Sequence, residues 1–185
     1  MEADWEVEIG GGAPVIEADR SGSPGSSGYI DLHGYPERIG EIAETAAFPP
    51  LAALLLALNA PGSSVWTSKC DVWNPEADAM ACYIDLLPRE GTVFGAWQQA
   101  EAFCREYVAR LEAIALPEHS AECRVDLVIR QAIVGVAEGF GITAYLSAMA
   151  TTSISAAAAL SEVMTALANA LPPAVPPRIA GSKLQ

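Results

Sequence analysis

The chain has 185 residues, of which 51% are apolar, so it is long enough and hydrophobic enough to fold around a buried core as a single domain, 1–185. It carries 23 acidic and 10 basic residues, a formal net charge of −13. A surface of this charge repels nucleic-acid phosphates and anionic lipid head groups, so we expect neither nucleic acid nor a membrane as a partner. It attracts basic proteins or cations, although many cytoplasmic proteins are acidic without binding either.

The cysteines and histidines stand singly in the sequence, without the spacing of a metal site or a redox motif. These residues are Cys70, Cys82, Cys104, Cys123, His33 and His119. We therefore predict no bound metal and no cofactor. The chain start lacks the basic residues and apolar run of a signal peptide, and the longest apolar run, 48–58, is too short to span a bilayer. The expected location is the reducing cytoplasm, where the thiols stay free.

The first predicted unit, about 4–60, begins with alternating apolar and acidic residues that favour a strand. Three glycines at 10–12 interrupt this strand, as a bulge or a bend would. The elements predicted after them are a strand at 14–18, a Ser/Gly/Pro loop at 21–28, a strand at 29–32, and helices at 37–47 and 51–58.

The middle predicted unit, 63–116, has the clearest pattern. Residues 65–73 and 81–87 alternate between apolar and polar positions and are predicted to form a hairpin. A long amphipathic helix is predicted over 92–115, with Thr92 as its N-cap.

The last predicted unit, 121–171, repeats the same order of strand, strand and helix. Its predicted elements are strands at 122–133 and 140–149, a turn at 135–139 and a helix from Ser153 to 171. The remaining residues, 172–185, read as a proline-rich tail.

An internal repeat supports this division into units. The tetrapeptide Tyr-Ile-Asp-Leu occurs at 29–32 and again at 83–86, each time before a predicted helix. We predict a two-layer α+β fold, with about six mostly antiparallel strands and three helices on one face. If the three ββα units close around a pseudo-threefold axis, the sheet becomes barrel-like with the helices outside.

Alternation along the strands sorts their residues into two faces. The apolar set faces the helices, and strict alternation places Trp66 with Cys70 and Val72 in that set. The opposite face is rich in charged and aromatic side chains, among them Trp73 and Tyr145. The candidate ligand-binding residues on it are Tyr29, Asp31, His33, Lys69, Asp71, Tyr83, Asp85, Arg124, Asp126 and Arg130.

Three interpretations fit this face, of which the first needs no function. The polar side of a one-sided antiparallel sheet has this composition without any ligand, because cross-strand charge pairs stabilise it. Tyrosine, tryptophan and arginine are favoured at protein interfaces, which predicts a protein-binding or self-associating module with a protein partner or a second copy of the chain. Alternatively, carboxylates near lysine and arginine form a small-molecule site or an active site. Convergence of Asp31, Asp71, Asp85 and Asp126 would favour an enzyme.

Overall fold

A computed structural model of the chain describes residues 1–18, 30–117 and 121–174. These residues form six strands and four α-helices. The strands are β1 (Glu2–Val7), β2 (Val15–Ala18), β3 (Val65–Trp73), β4 (Ala79–Pro88), β5 (Glu122–Val134) and β6 (Ala137–Met149). The helices are α1 (Ala43–Ala47), α2 (Pro49–Asn59), α3 (Trp97–Glu112) and α4 (Ser153–Ala170), and a 3₁₀ helix, Pro36–Glu41, precedes α1.

The strands form one open sheet in the order β1-β5-β6-β4-β3, with β2 also paired to β5. The pairs β3–β4, β4–β6 and β5–β6 are antiparallel, whereas β1 and β2 both run parallel to β5. The mixed α and β fold with a mostly antiparallel sheet is therefore confirmed. Strands β1 and β2 are two parts of one edge, interrupted where Gly10 and Gly12 adopt φ values of +120° and +93° that favour glycine.

Both predicted hairpins form. Strand β3 has the predicted bounds, and β4 pairs with it from Val65↔Pro88 to Trp73↔Ala81. The β5–β6 turn is shorter than predicted, because Val134 pairs with Ala137 and leaves a two-residue loop. Its first residue is Gly135 with φ +60°, as a tight hairpin turn requires.

The main core lies between one face of the sheet and helices α2, α3 and α4. Alternate residues of β4, β5 and β6 point into it, as the alternation predicts. The buried sheet residues are Cys82, Ile84, Leu86, Val125, Leu127, Ile129, Ile142, Ala144, Leu146 and Ala148. Tyr107 of α3 donates a hydrogen bond of 2.7 Å to the Leu167 carbonyl of α4, which joins two of the helices. None of the helices in the described part of the chain has both the length and the hydropathy to cross a bilayer.

A second, smaller core lies on the opposite face, where one end of the sheet curls. It contains Ile16, Ala18, Trp66, Leu87, Val93, Ala132 and Val134. The curl brings the two edges together, and the Ser68 hydroxyl donates a hydrogen bond of 3.3 Å to the Glu17 carbonyl. The prediction for Trp66 is therefore wrong. The pairing shifts between Thr67 and Cys70, and this bulge turns Trp66 to the face opposite Cys70.

Other predictions also need correction. Residues 30–32 of the predicted strand 29–32 are not a strand, so the first unit lacks the strand expected before its helices and the threefold ββα repeat is not confirmed. Helix α3 begins at Trp97, and Thr92 has φ +70° outside the helix, so it is not the N-cap. The predicted loop at 21–28, Tyr29, His119 and residues 175–185 lie outside the described residues.

Candidate functional site on the outer face of the sheet

The face of the sheet turned away from the helices, here called the outer face, carries rows of side chains that run across the strands. The strand register aligns Asp71, Tyr83, Tyr145, Asp126 and Asp4 across β3, β4, β6, β5 and β1. Residues opposite each other on adjacent strands are side-chain neighbours. This Tyr–Asp row therefore places two tyrosines in the middle of the sheet and carboxylates at both ends.

Aromatic rings form a continuous ladder along the same region. The ring centroids of Trp73 and Tyr83 lie 6.3 Å apart, and those of Tyr83 and Tyr145 lie 6.2 Å apart. The Arg130 guanidinium lies over Tyr145 at 5.4 Å from the ring centroid. Trp73 remains 38% exposed at one end. The ladder thus exposes a ring to solvent at its Trp73 end, whereas the Arg130 guanidinium lies over the ring at its Tyr145 end.

A buried polar network lies beside the ladder. Asp85 is only 6% exposed and accepts a hydrogen bond of 2.6 Å from Thr143. Arg130 donates to the Thr143 hydroxyl at 3.3 Å and to the Tyr145 hydroxyl at 2.9 Å, and it pairs with Glu8 at 2.7 Å. Burial raises the pKa of Asp85, while the Thr143 hydrogen bond and the charges of Lys69 and Arg130 oppose that rise in pKa.

The edge of the outer face next to β1 contains a shallow depression of about 380 Å³. Its lining includes Asp4, Glu6, Arg124, Asp126, Val128, Arg130 and Tyr145. Arg124 is already paired with Asp126 at 2.6 Å, and Arg130 with Glu8. The arginines are therefore partly neutralised by carboxylates of this chain, and among the described residues Asp4 and Glu6 are the charged groups of the depression without an ion pair.

A separate cleft of about 320 Å³ lies at the free edge of β3, between this strand and the segment that carries the 3₁₀ helix and α1. It is lined by Glu17, Ile30, Leu32, Glu41, Ile42, Ala43, Glu44, Leu55, Thr67, Ser68, Lys69, Cys70 and Tyr83. Burial, with a smaller contribution from the Glu44 charge, raises the pKa of the Cys70 thiol to about 12. The thiol is therefore protonated near neutral pH and is a poor nucleophile.

The structure places seven of the ten predicted site residues on strands of the outer face. These are Lys69, Asp71, Tyr83, Asp85, Arg124, Asp126 and Arg130. Asp31 lies instead in a turn, where its carboxylate accepts hydrogen bonds from the backbone N–H groups of His33 and Gly34 at 2.9 and 3.1 Å. His33 lies in the same turn, and its Nδ1 is 2.5 Å from an Arg89 nitrogen. Tyr29 is outside the described residues.

The aspartates do not converge. Asp71 on β3 and Asp126 on β5 are separated by two strands, a distance of about 14 Å across the sheet. Asp85 is buried between them one row away, and Asp31 is on a different element. The arrangement expected of a carboxylate pair in an active site is therefore not formed by these residues.

Sequence reasoning missed Glu8 and Thr143, which complete the Arg130 network. Thr143 follows the alternation of β6 and shares its face with Tyr145, so alternation contained a signal for it. Glu8 reaches Arg130 only because β1 runs parallel to β5. A parallel pairing between segments more than 100 residues apart leaves no mark in the local pattern.

Comparison with models of protein families, with curated proteins and with solved structures finds no match to this chain. Within residues 1–18, 30–117 and 121–174, no three His, Cys, Asp or Glu side chains come together as a metal-binding group.

Proposed function

We propose that the protein is a binding module that recognises a basic segment of another protein through the outer face of its sheet. The observation that carries this proposal is the Tyr–Asp row, with rings at its centre, carboxylates at both ends and Trp73 exposed beside it. Tyrosine and tryptophan supply large contact area at interfaces, and ring faces attract the guanidinium of arginine.

The charges of the chain fit such a partner. The net charge of −13 accelerates the approach of a basic segment. Asp71 and Asp4 are exposed at opposite ends of the row, where they can pair with arginines of a bound segment. An extended segment of about five residues spans the roughly 14–19 Å between the two ends.

Catalysis has less support from the same residues. Asp85 and Arg130 use their polar groups in hydrogen bonds within the protein, and the predicted aspartates are dispersed. Self-association is the second candidate, because the second half of β3, beyond Cys70, is a sheet edge that can pair with another strand, whereas the first half contacts β2 and Asn59. Sizing of the protein in solution at two salt concentrations tests this alternative.

The main experiment measures binding of a fluorescent arginine-rich peptide by anisotropy over a series of salt concentrations. The double variant Asp4→Asn/Asp71→Asn removes two charges from the row. The control Glu37→Gln/Glu112→Gln removes two exposed charges from the 3₁₀ helix and α3. We expect the first variant to weaken binding about fivefold and the control to change it less than twofold, because only the first removes direct ion pairs.

A third variant, Trp73→Ala, tests the contribution of the exposed ring at the open end of the ladder. It is expected to remove the preference for arginine-rich over lysine-rich peptides of equal charge, because guanidinium stacks on an aromatic face better than ammonium does. Equal losses in both double variants would show that the peptide responds only to total charge, and the proposal would then be wrong.

A further inference from the structure

The cleft at the free edge of β3 is distinct from the Tyr–Asp row, although Tyr83 borders both. Its volume of about 320 Å³ is at the lower end of the range for small-molecule sites. The walls come from several parts of the chain, among them Glu17 of β2, Glu44 of α1, Leu55 of α2 and Lys69 of β3. The curl of the sheet brings the β2 and β3 walls together through the hydrogen bond between Ser68 and the Glu17 carbonyl.

Unpaired charges of both signs line this cleft. Among the described residues, Lys69, Glu17 and Glu44 make no ion pair within 4.0 Å. The fourth charged residue of the lining, Glu41, is different because it is paired with Arg38 at 2.7 Å. The cleft therefore presents one available cation and two available carboxylates, a net charge that attracts an ammonium group.

The rest of the lining is mostly apolar. Ile30, Leu32, Ile42 and Leu55 contribute side chains, and Tyr83 adds a ring. Leu32 and Leu55 belong to the main core, so this wall is fixed by packing. A ligand that satisfies all these groups needs a carboxylate, an ammonium group and a short apolar body.

We propose that this cleft binds a free α-amino acid with an aliphatic side chain. Lys69 pairs with the carboxylate of the ligand, Glu17 and Glu44 pair with its ammonium group, and the side chain lies against Ile42 and Leu55. Lys69 and Glu17 are exposed and Glu44 is half-buried, so each ion pair contributes modestly and binding depends on the two charged ends and the apolar wall acting together. This inference does not rest on the basic-partner proposal.

The test is titration calorimetry of the full chain with L-leucine and with two analogues that each lack one charged group. Isoamylamine has no carboxylate, and 4-methylpentanoate has no ammonium group. We expect L-leucine to bind, and each analogue to bind at least tenfold more weakly. Lys69→Gln and Glu44→Gln are expected to weaken leucine binding about tenfold, whereas Glu37→Gln, outside the cleft, leaves it unchanged.

Several results would overturn the inference. One is that L-leucine gives no binding signal up to 10 mM. A dissociation constant of 10 mM corresponds to a binding free energy of roughly −2.7 kcal/mol. Another is equal binding of isoamylamine and L-leucine with no effect of Lys69→Gln, which identifies a simple amine site. Because Asp4→Asn/Asp71→Asn leaves the cleft intact, leucine binding by that variant separates failure of this inference from failure of the peptide-binding proposal.

Discussion

Thr143 donates a hydrogen bond of 2.6 Å to Asp85 at the buried centre of the outer face, where strands β6 and β4 pair. The same hydroxyl accepts a hydrogen bond from Arg130, so one small side chain connects a buried carboxylate to a largely buried cation. Asp85 is a carboxylate on the side of the sheet away from the main core, yet it is 6% exposed. Beyond the second core, the outer face is therefore a packed, polar surface at its centre and a solvated surface toward the ends of the Tyr–Asp row.

Replacement of Asp85 tests the burial of its charge. Because the pKa of Asp85 is raised above the ordinary 3.8, the folded protein keeps this proton where the unfolded chain has lost it. The Asp85 contribution to the free energy of unfolding therefore falls as pH rises from about 3.8 through the raised pKa. We expect Asp85→Asn to be more stable than the parent at pH 7, with a difference that shrinks toward pH 4, as measured by urea unfolding.

Two further variants separate charge from packing at this position. Thr143→Val removes the donor to Asp85 and is expected to cost about 1–3 kcal/mol at pH 7, because a buried carboxylate loses its hydrogen bond. Asp71→Asn, on the exposed end of β3, is expected to change stability by less than about 0.5 kcal/mol. If the free energy of unfolding depended on pH in the same way in the parent protein and in Asp85→Asn, the burial argument would be contradicted.

Gly139 is a position where the fold leaves no room for a side chain. A Cβ built there would collide with the Phe94 carbonyl oxygen and lie 2.7 Å from Val93 Cγ2, next to the paired backbone hydrogen bonds of Phe94 and Phe140. We expect Gly139→Ala to destabilise the protein by about 2 kcal/mol, seen as a lower Tm. Gly62→Ala is the matched control, since its Cβ would meet no atom within 4 Å, and a Tm loss equal to that of Gly139→Ala would refute the crowding argument.

Asn59 joins α2 to β3 at the bulge. Its side chain accepts a hydrogen bond of 3.1 Å from the Thr67 backbone N–H and donates one of 2.7 Å to the Thr67 hydroxyl, and the residue is 4% exposed. Asn59→Ala leaves that buried N–H without an acceptor and is expected to cost about 2–3 kcal/mol by chemical denaturation. Asn74→Ala, at an exposed turn, is expected to cost less than about 1 kcal/mol. Similar losses at both sites would show that the bulge does not depend on Asn59.

The thiols provide a test of the packing around β3, β4 and α3. The pKa values of Cys70 and Cys104 are raised by burial from 9.0 to about 12, which lowers their thiolate fraction about a thousandfold. With iodoacetamide at pH 8, we expect Cys123 to be alkylated first, because it is half-buried and burial raises its thiol pKa less than that of Cys70, and the others only after unfolding in urea. Peptide mass spectrometry reads the order, and early modification of Cys104 would show that α3 opens in the native state.

The β3–β4 and β5–β6 hairpins and most of the residues that face the core could be predicted from the sequence. The reason is local, because alternation in a strand and the three-and-four spacing of helix α4 are properties of neighbouring residues. Of the candidate site, the placement of Lys69, Asp71, Tyr83, Asp85, Arg124, Asp126 and Arg130 on one face could be predicted in the same way.

The parallel pairing of β1 with β5, the orientation of Trp66 and the burial of Asp85 instead follow from contacts between distant parts of the chain. The Glu8–Arg130 ion pair joins residues far apart in the chain, and the bulge between Thr67 and Cys70 changes which face Trp66 occupies. Long-range pairing and bulges depend on which segments meet after the sheet curls, and this information is spread over the whole chain. Local composition therefore determined the two faces of the sheet, and the three-dimensional packing determined which of their side chains meet.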